Sequence, residues 1–167
     1  MDSAVAVEDV PVNVKGVLEK VEHMLTPLAG ESQITVETDL DDDCVVLATE
    51  DDLYQIAFNL MENAVKYNVP GGRVMVSLYG VGDLVMLTVE DTGVGIPEDD
   101  LPKIFDRFYR VDKARSRAAG GTGLGLSIVK DTARQHGGAV SVSRRDPEGS
   151  RFEVAFPRYY PEGGETP

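Results

Sequence analysis

The sequence has little of several features that define common functional classes: it has one cysteine (Cys44), no tryptophan and few basic residues. A single cysteine excludes an internal disulfide framework and a cysteine-rich zinc site. Because Cys44 lies between an acidic turn and an apolar strand, it is interpreted as a small core residue. The 16 Lys and Arg against 29 Asp and Glu make the formal net charge −13, which argues against nucleic-acid binding and against direct membrane contact. No segment approaches the roughly 18 consecutive apolar residues of a membrane-spanning helix. The first residues also lack the pattern of a signal peptide, so we expect an intracellular, reduced setting.

The 167 residues are 42% apolar and 27% charged, which is typical of one globular domain. We expect this domain over residues 12–157, after an acidic irregular segment at 1–11 and before a flexible tail at 158–167. Apolar periodicity predicts three helices and about six strands, most simply one sheet with helices on one face. The predicted main helices cover 14–28, about 51–64 and 124–135, with one further short helix near 101–105. The predicted strands cover 34–38, 44–47, 73–79, 84–90, 139–143 and 151–156.

A row of polar side chains lies on the second predicted helix. Asn59, Asn63 and Lys66 fall within about 60° of one another at helical spacing, beside an apolar stripe that would pack on the sheet. Carboxamide oxygens suit Mg²⁺, and an ammonium group neutralises phosphate. The row therefore predicts a site for a magnesium–polyphosphate complex, although a solvated polar helix face has the same pattern.

A glycine-containing motif, Asp91-Thr-Gly93-Val-Gly95-Ile96, directly follows an apolar predicted strand. Its glycines allow a flat ligand to approach the backbone, and Asp91 could accept a hydrogen bond from an exocyclic amine such as that of adenine. The alternative is a plain strand-ending turn. Asp-Thr-Gly is also the active-site triplet of aspartic proteases, but these need two apposed aspartates, and the triplet occurs once here.

A second glycine-rich motif, at residues 120–127, opens the third predicted helix. Free backbone N–H groups at a helix N-terminus favour anions, whereas the alternative is a flexible hinge. Neither a Walker A motif nor the fingerprint G-x-G-x-x-G occurs in the chain. Six basic residues and only two acidic ones lie at 103–117, so we expect a lid at about 97–123 that closes on phosphates, rather than an ordinary solvated loop.

In order and spacing, these features resemble the catalytic ATP-binding domain of bacterial sensor histidine kinases, in the superfamily of gyrase B, heat-shock chaperones and mismatch-repair ATPases. The resemblance covers about residues 12–157 and implies a two-layer α/β sandwich, the Bergerat fold, with a mixed sheet covered on one face by three helices. The matching segments are the N box at 59–67, the G1 box at 91–97, the F box at 104–110, the G2 box at 121–129 and a last glycine element at 149–152.

The resemblance also implies a role for each site residue. Asp91 would bind the adenine amino group, and Asn59 and Asn63 would hold Mg²⁺. Asn59, Lys66 and Arg110 would be the catalytic residues. The other residues expected to bind ATP are Tyr67, Gly93, Gly95, Ile96, Phe108, Arg115, Gly121, Gly123, Leu124, Gly125 and Leu126.

One position separates the subfamilies of this resemblance. Hydrolysing relatives carry a glutamate as general base at the first position of the N box, where this sequence has Asn59. Asparagine cannot take a proton, which favours phosphoryl transfer over hydrolysis. A stand-alone serine kinase of the anti-sigma type uses the same fold and stays an alternative, as does a non-catalytic interaction module.

The phosphoacceptor histidine of the family has no good match here. His23 lies in a sequence one residue short of the usual acceptor motif, and it is interpreted as a surface residue. His136 is interpreted as a helix C-terminal residue that contacts free carbonyl groups. The resemblance thus implies a phosphoacceptor hairpin elsewhere, a response regulator as partner, a monomeric domain and a dimeric, membrane-anchored parent.

Overall fold

The computed structural model describes residues 8–106, 125–146 and 148–160, and in them the chain forms two layers, of strands and of helices. The elements follow one another as strand β1 (Val10–Asn13), helix α1 (Val14–Glu31), strands β2 (Thr35–Leu40) and β3 (Val45–Ala48), helix α2 (Glu50–Lys66), strands β4 (Arg73–Val81) and β5 (Leu84–Asp91), a 3-10 helix (Glu98–Lys103), helix α3 (Gly125–Gln135), and strands β6 (Ala139–Arg144) and β7 (Ser150–Pro157).

The main sheet has five strands in the order β2-β4-β5-β7-β6. Strand β2 runs parallel to β4, whereas the other neighbours are antiparallel. This mixed sheet under three helices confirms the predicted two-layer α/β sandwich. Its register pairs Asp91, the last residue of β5, with Ser150, the first residue of β7.

The helices bury their apolar faces against the sheet, as the periodicity predicts. Helix α2 begins at a capped end, since the Thr49 side chain accepts a hydrogen bond from the Asp52 N–H at 3.1 Å. Leu60, in the middle of its apolar stripe, is completely buried, and so is Cys44, which confirms the interpretation of the cysteine as a core residue. The polar side chains at Asn59 and Asn63 are left at the margin of the core.

The expectation of one sheet is wrong in one respect. Strands β1 and β3 form a separate two-stranded antiparallel sheet, so seven strands occur in the described residues where about six were expected. Val10 and Pro11 belong to this small sheet rather than to an irregular segment. A strand that contains proline is weakly indicated by sequence, since proline removes a ladder donor and is confined to edge strands.

Two further segments differ from expectation. The short helix begins at Glu98 rather than near Leu101. Beyond β7, the first residues of the predicted tail are attached to the domain, since the N–H groups of Arg158 and Tyr159 donate to the carbonyls of Asp83 and Val45 at 2.8 Å each. Among the helices of the described ranges, none combines the length and the apolar character that crossing a membrane requires.

His136 lies just beyond the last residue of α3, as expected, but its side chain contacts carboxylates rather than carbonyl groups. Its Nε2 lies 2.7 Å from Asp52 Oδ2 and its Nδ1 lies 3.1 Å from Asp9 Oδ2. The imidazole is 5% exposed. Burial acts to lower the pKa of His136, but the hydrogen bonds and charges of Asp52 and Asp9 outweigh burial, so its pKa is raised. His23, in contrast, is exposed on α1, which confirms it as a surface residue.

The raised pKa of His136 makes the stability of the fold depend on pH. A group with a raised folded-state pKa contributes stability fully below its unfolded pKa of about 6.5 and loses it as pH rises through the folded value. We therefore expect His136→Gln to lower the unfolding temperature clearly at pH 5.5 and progressively less toward pH 9. His23→Gln is the control, and a His136→Gln deficit that did not shrink with pH would contradict the ion-pair explanation.

Candidate functional site

Helix α2 carries the polar row that the sequence predicts. Asn59, Asn63 and Lys66 are each partly exposed, whereas the neighbouring Leu60 and Ala64 are buried. Lys66 Nζ lies 3.6 Å from Glu62 Oε2, an ion pair one helical turn apart. The helix thus presents two carboxamide groups and one ammonium group along one accessible edge.

Asp91 is the most unusual charged group in the described residues, because its side chain is buried at the end of β5. Its Oδ1 accepts a hydrogen bond from the Gly93 N–H at 2.9 Å, and its Oδ2 accepts one from the Ser150 hydroxyl at 2.7 Å. Burial raises the pKa of Asp91, although the bonds from Ser150 and Gly93 act to lower it. A carboxylate has about four acceptor directions, so a ligand amine could still be bound beside the Gly93 and Ser150 donors.

Two glycines beside Asp91 allow the backbone to approach closely. A Cβ atom on Gly93 would lie 2.5 Å from the Tyr67 carbonyl oxygen, so no larger residue fits there. Gly95 has a φ of +80°, a conformation that favours glycine, and faces the carbonyl of Gly149. Ile96 packs against the core from the same loop. The segment after β5 therefore lies directly against Tyr67, the residue that follows α2.

The first turn of α3 lies beside the polar row. A Cβ atom on Gly125 would lie 3.3 Å from Asn59 Oδ1, and the next residue, Leu126, packs against the core. The start of α3 is therefore next to the first carboxamide of α2. Backbone N–H groups in the first turn of a helix have no partner within it and favour anions.

The structure thus gathers three segments that are far apart in the sequence: the exposed edge of α2, the segment after β5 and the start of α3. The lid beyond Asp106 lies outside the described residues, and so do the remaining site residues predicted from the sequence. These are Phe108, Arg110, Arg115, Gly121, Gly123 and Leu124.

Sequence reasoning assigned no role to four residues that the structure places at the site. Ser150 binds Asp91, although 59 positions separate the two. A Cβ on Gly149 would overlap the Asp91 carbonyl oxygen at 1.8 Å. Thr92 and Asn68 hydrogen-bond to each other at 3.3 Å. Gly149-Ser150 carried a signal as a last glycine element, and Thr92 lies within the G1 box, whereas Asn68 carried none.

The described partners of Asp91 are a hydroxyl and a backbone amide, unlike the paired carboxylates of an aspartic protease. Within residues 8–106, 125–146 and 148–160, no group of three His, Cys, Asp or Glu side chains is placed to hold a metal ion. Asn59 and Asn63 suit a magnesium ion that takes few protein oxygens and most of its ligands from phosphates and water. The donor set therefore fits a metal brought in with a polyphosphate.

Comparison with known proteins agrees with this geometry. Residues 48–160 match the family model described as histidine kinase-, DNA gyrase B- and HSP90-like ATPase. The sensor-like histidine kinase SenX3 of Mycolicibacterium smegmatis is 43% identical over 131 residues, 78% of this chain and 34% of the relative. Sensor histidine kinase WalK of Bacillus subtilis is 41% identical over 119 residues, 70% of this chain and 20% of the relative. The chain thus spans about a third or less of these relatives.

Solved structures give the same result. The mycobacterial sensor histidine kinase MprB superposes with a TM-score of 0.80 at 30% identity, covering 91% of this chain and 98% of that one. The nucleotide-free catalytic domain of histidine kinase ThkA gives a TM-score of 0.81 at 25% identity, with 91% and 97% covered. With its fold, its site and these relatives, the chain belongs to the histidine kinase-, DNA gyrase B- and HSP90-like ATPases, as the catalytic ATP-binding domain of a sensor histidine kinase.

Proposed function

We propose that this domain binds Mg-ATP and donates the γ-phosphoryl group to a histidine on a separate dimerisation hairpin of a parent sensor kinase, for relay to a response regulator. Membership of the family supports ATP-dependent phosphotransfer in two-component signalling. The observation that carries the nucleotide part is the buried Asp91 carboxylate, held by Gly93 and Ser150 beside the polar edge of α2.

The adenine end of the proposed site is the segment after β5. Asp91 would accept the exocyclic amine of adenine, since a buried carboxylate binds a donor strongly and rejects a carbonyl oxygen at the same place. Gly93, Gly95 and Ile96 would form the wall against the base. This arrangement selects adenine over guanine, which presents a carbonyl oxygen where adenine has its amine.

The phosphate end is the exposed edge of α2 together with the start of α3. Lys66 would exchange its 3.6 Å pairing with Glu62 for a phosphate or ribose contact, with Tyr67 beside it. Asn59 and Asn63 would hold Mg²⁺, which supplies charge neutralisation between the phosphates when bound. The amides of Gly123, Leu124 and Gly125 would meet the phosphates near the start of α3, with Leu126 beside them. The lid would complete the site with Phe108, Arg110, Arg115 and Gly121.

The acceptor is proposed to supply the nucleophile, since Asn59 cannot act as a base on water. Neither histidine of the chain suits the acceptor role. His23 is exposed on α1, outside the three segments that form the site. The His136 side chain is 5% exposed, and both of its ring nitrogens contact carboxylates. A histidine on a separate hairpin is therefore the acceptor that best fits these contacts.

The proposed setting is a monomeric domain on the cytoplasmic side of a dimeric, membrane-anchored parent. ThkA, one of the structural relatives, has also been solved in complex with response regulator protein TrrA. By analogy, we propose a response regulator as the partner that receives the phosphoryl group.

The first test is calorimetric titration of the 167-residue chain with a non-hydrolysable ATP analogue, in Mg²⁺ and in EDTA, with the guanine analogue as control. We expect binding of the adenine analogue that Mg²⁺ strengthens and weak or undetectable binding of the guanine analogue. Absence of binding under every condition would refute the proposal and favour an interaction module.

The second test identifies the acceptor with radiolabelled ATP and a separately purified phosphoacceptor hairpin of a sensor kinase. We expect an acid-labile, base-stable phosphohistidine on the hairpin. Stoichiometric acid-stable phosphoserine on a candidate antagonist protein, with no label on the hairpin, would instead identify a serine kinase of the anti-sigma type.

A further inference from the structure

Two residues that have no assigned contact to ATP in the proposed site connect its two ends. Asn68 lies two residues beyond Lys66, the last residue of α2, and Thr92 directly follows Asp91, the last residue of β5. The Thr92 hydroxyl donates to Asn68 Oδ1 at 3.3 Å, across 24 positions of sequence. Each of the two residues thus adjoins one end of the nucleotide site.

Both residues also hydrogen-bond to the backbone of the same residue, Arg73, at the start of β4. The Thr92 hydroxyl oxygen accepts from the Arg73 N–H at 2.9 Å, and the Thr92 N–H donates to the Arg73 carbonyl at 3.2 Å. Asn68 Nδ2 donates to that same carbonyl at 2.9 Å. The side chains are therefore held from several directions rather than by one contact.

Close packing surrounds this network. A Cβ on Gly72 would lie 2.2 Å from Asn68 Oδ1 and 2.8 Å from Thr92 Oγ1. A Cβ atom on Gly93, a residue of the proposed site, would lie 3.1 Å from the Asn68 Cα. A shift of Thr92 or Asn68 would therefore move Gly93 relative to the end of α2.

We infer that Thr92 and Asn68 are positioning residues that set the distance between the adenine end and the phosphate end of the site. This inference rests on the proposed nucleotide function. A ligand that engages both ends gains from their fixed spacing, because less motion has to be frozen on binding. A ligand that engages only the adenine end does not gain from that spacing.

The test compares Mg-ADP with adenosine on the variant Thr92→Val, which keeps the shape of the side chain and removes its hydroxyl. We expect the affinity for Mg-ADP to fall about tenfold, whereas the affinity for adenosine changes less than about twofold. Thr92→Ser, which restores the hydroxyl, is expected to rescue Mg-ADP binding. Thr38→Val on the exposed face of β2 is the matched control.

Each outcome has one meaning. Equal losses of affinity for Mg-ADP and adenosine would show that Thr92 shapes the adenine end alone. Unchanged Mg-ADP binding would show that Thr92 has no positioning role. Either result would overturn the inference. Asn68→Ala provides a second variant with the same expected pattern if Thr92→Val does not fold. A wild-type chain that bound neither ligand would overturn the proposed function itself, whereas wild-type binding with an unaffected variant would overturn only the positioning role.

Discussion

Asp91→Asn is expected to weaken adenine nucleotide binding by about 1–3 kcal/mol, or roughly 5- to 150-fold. The Gly93 N–H needs an acceptor, so the asparagine oxygen should turn toward Gly93 and its NH₂ group toward Ser150. That NH₂ group would then face the adenine amine, donor against donor. Calorimetry with Mg-ADP measures the loss of affinity. The control is Asp39→Asn, which removes the same charge from an exposed position on β2.

The same substitution should leave the unliganded protein at least as stable as the wild type at neutral pH. A carboxyl whose folded-state pKa is raised stabilises the fold fully below its unfolded pKa, and this stabilisation is lost as pH rises through the folded value. Burial raises the pKa of wild-type Asp91, so its ionisation weakens the fold as pH rises, whereas asparagine does not ionise. A lowered unfolding temperature of Asp91→Asn at pH 7 would contradict a binding role separate from folding.

Gly149→Ala is expected to have the largest effect on stability, with a loss of roughly 2–5 kcal/mol in the free energy of unfolding. Gly149 has a φ of +110°, and an added Cβ would lie 1.8 Å from the Asp91 carbonyl oxygen and 2.8 Å from the carbonyl carbon. Because this neighbour is backbone, no side-chain rotation can relieve the overlap. Chemical denaturation measures the change.

Any folded Gly149→Ala protein should also bind Mg-ADP more weakly, because the overlap separates Ser150 from Asp91. The control is Gly16→Ala in α1, where an added Cβ meets nothing within 4 Å and should raise stability by about 0.5–1 kcal/mol. A Gly149→Ala protein as stable as the wild type would refute the described approach of the two backbones.

The polar row on α2 shows how far sequence reasoning reaches. Asn59, Asn63 and Lys66 share one edge because helical periodicity alone determines which side chains neighbour each other. The apolar stripe at Leu60 and Ala64 was likewise readable, since it recurs at the same period. Site roles for these residues stay predictions, but their placement required no knowledge of the rest of the fold.

Sequence reasoning failed where contacts depend on distant strands. The pairing of β1 with β3 was missed, because nothing local to Val10 and Pro11 signals a partner more than 30 residues away. His136 was expected to contact carbonyl groups near its own helix end. It instead meets Asp52 and Asp9, 84 and 127 positions away.

The sequence by itself determined the helices, the main strands and the chemical types gathered at the site, because these follow from short-range periodicity and from motifs of adjacent residues. Only the tertiary structure decided that Ser150 binds Asp91 and that Thr92 meets Asn68. The physical reason is that strand register and the end of a helix set these distances. Burial makes the contacts of Asp91 important for stability, since a buried carboxylate without hydrogen-bond donors costs far more free energy than an exposed one.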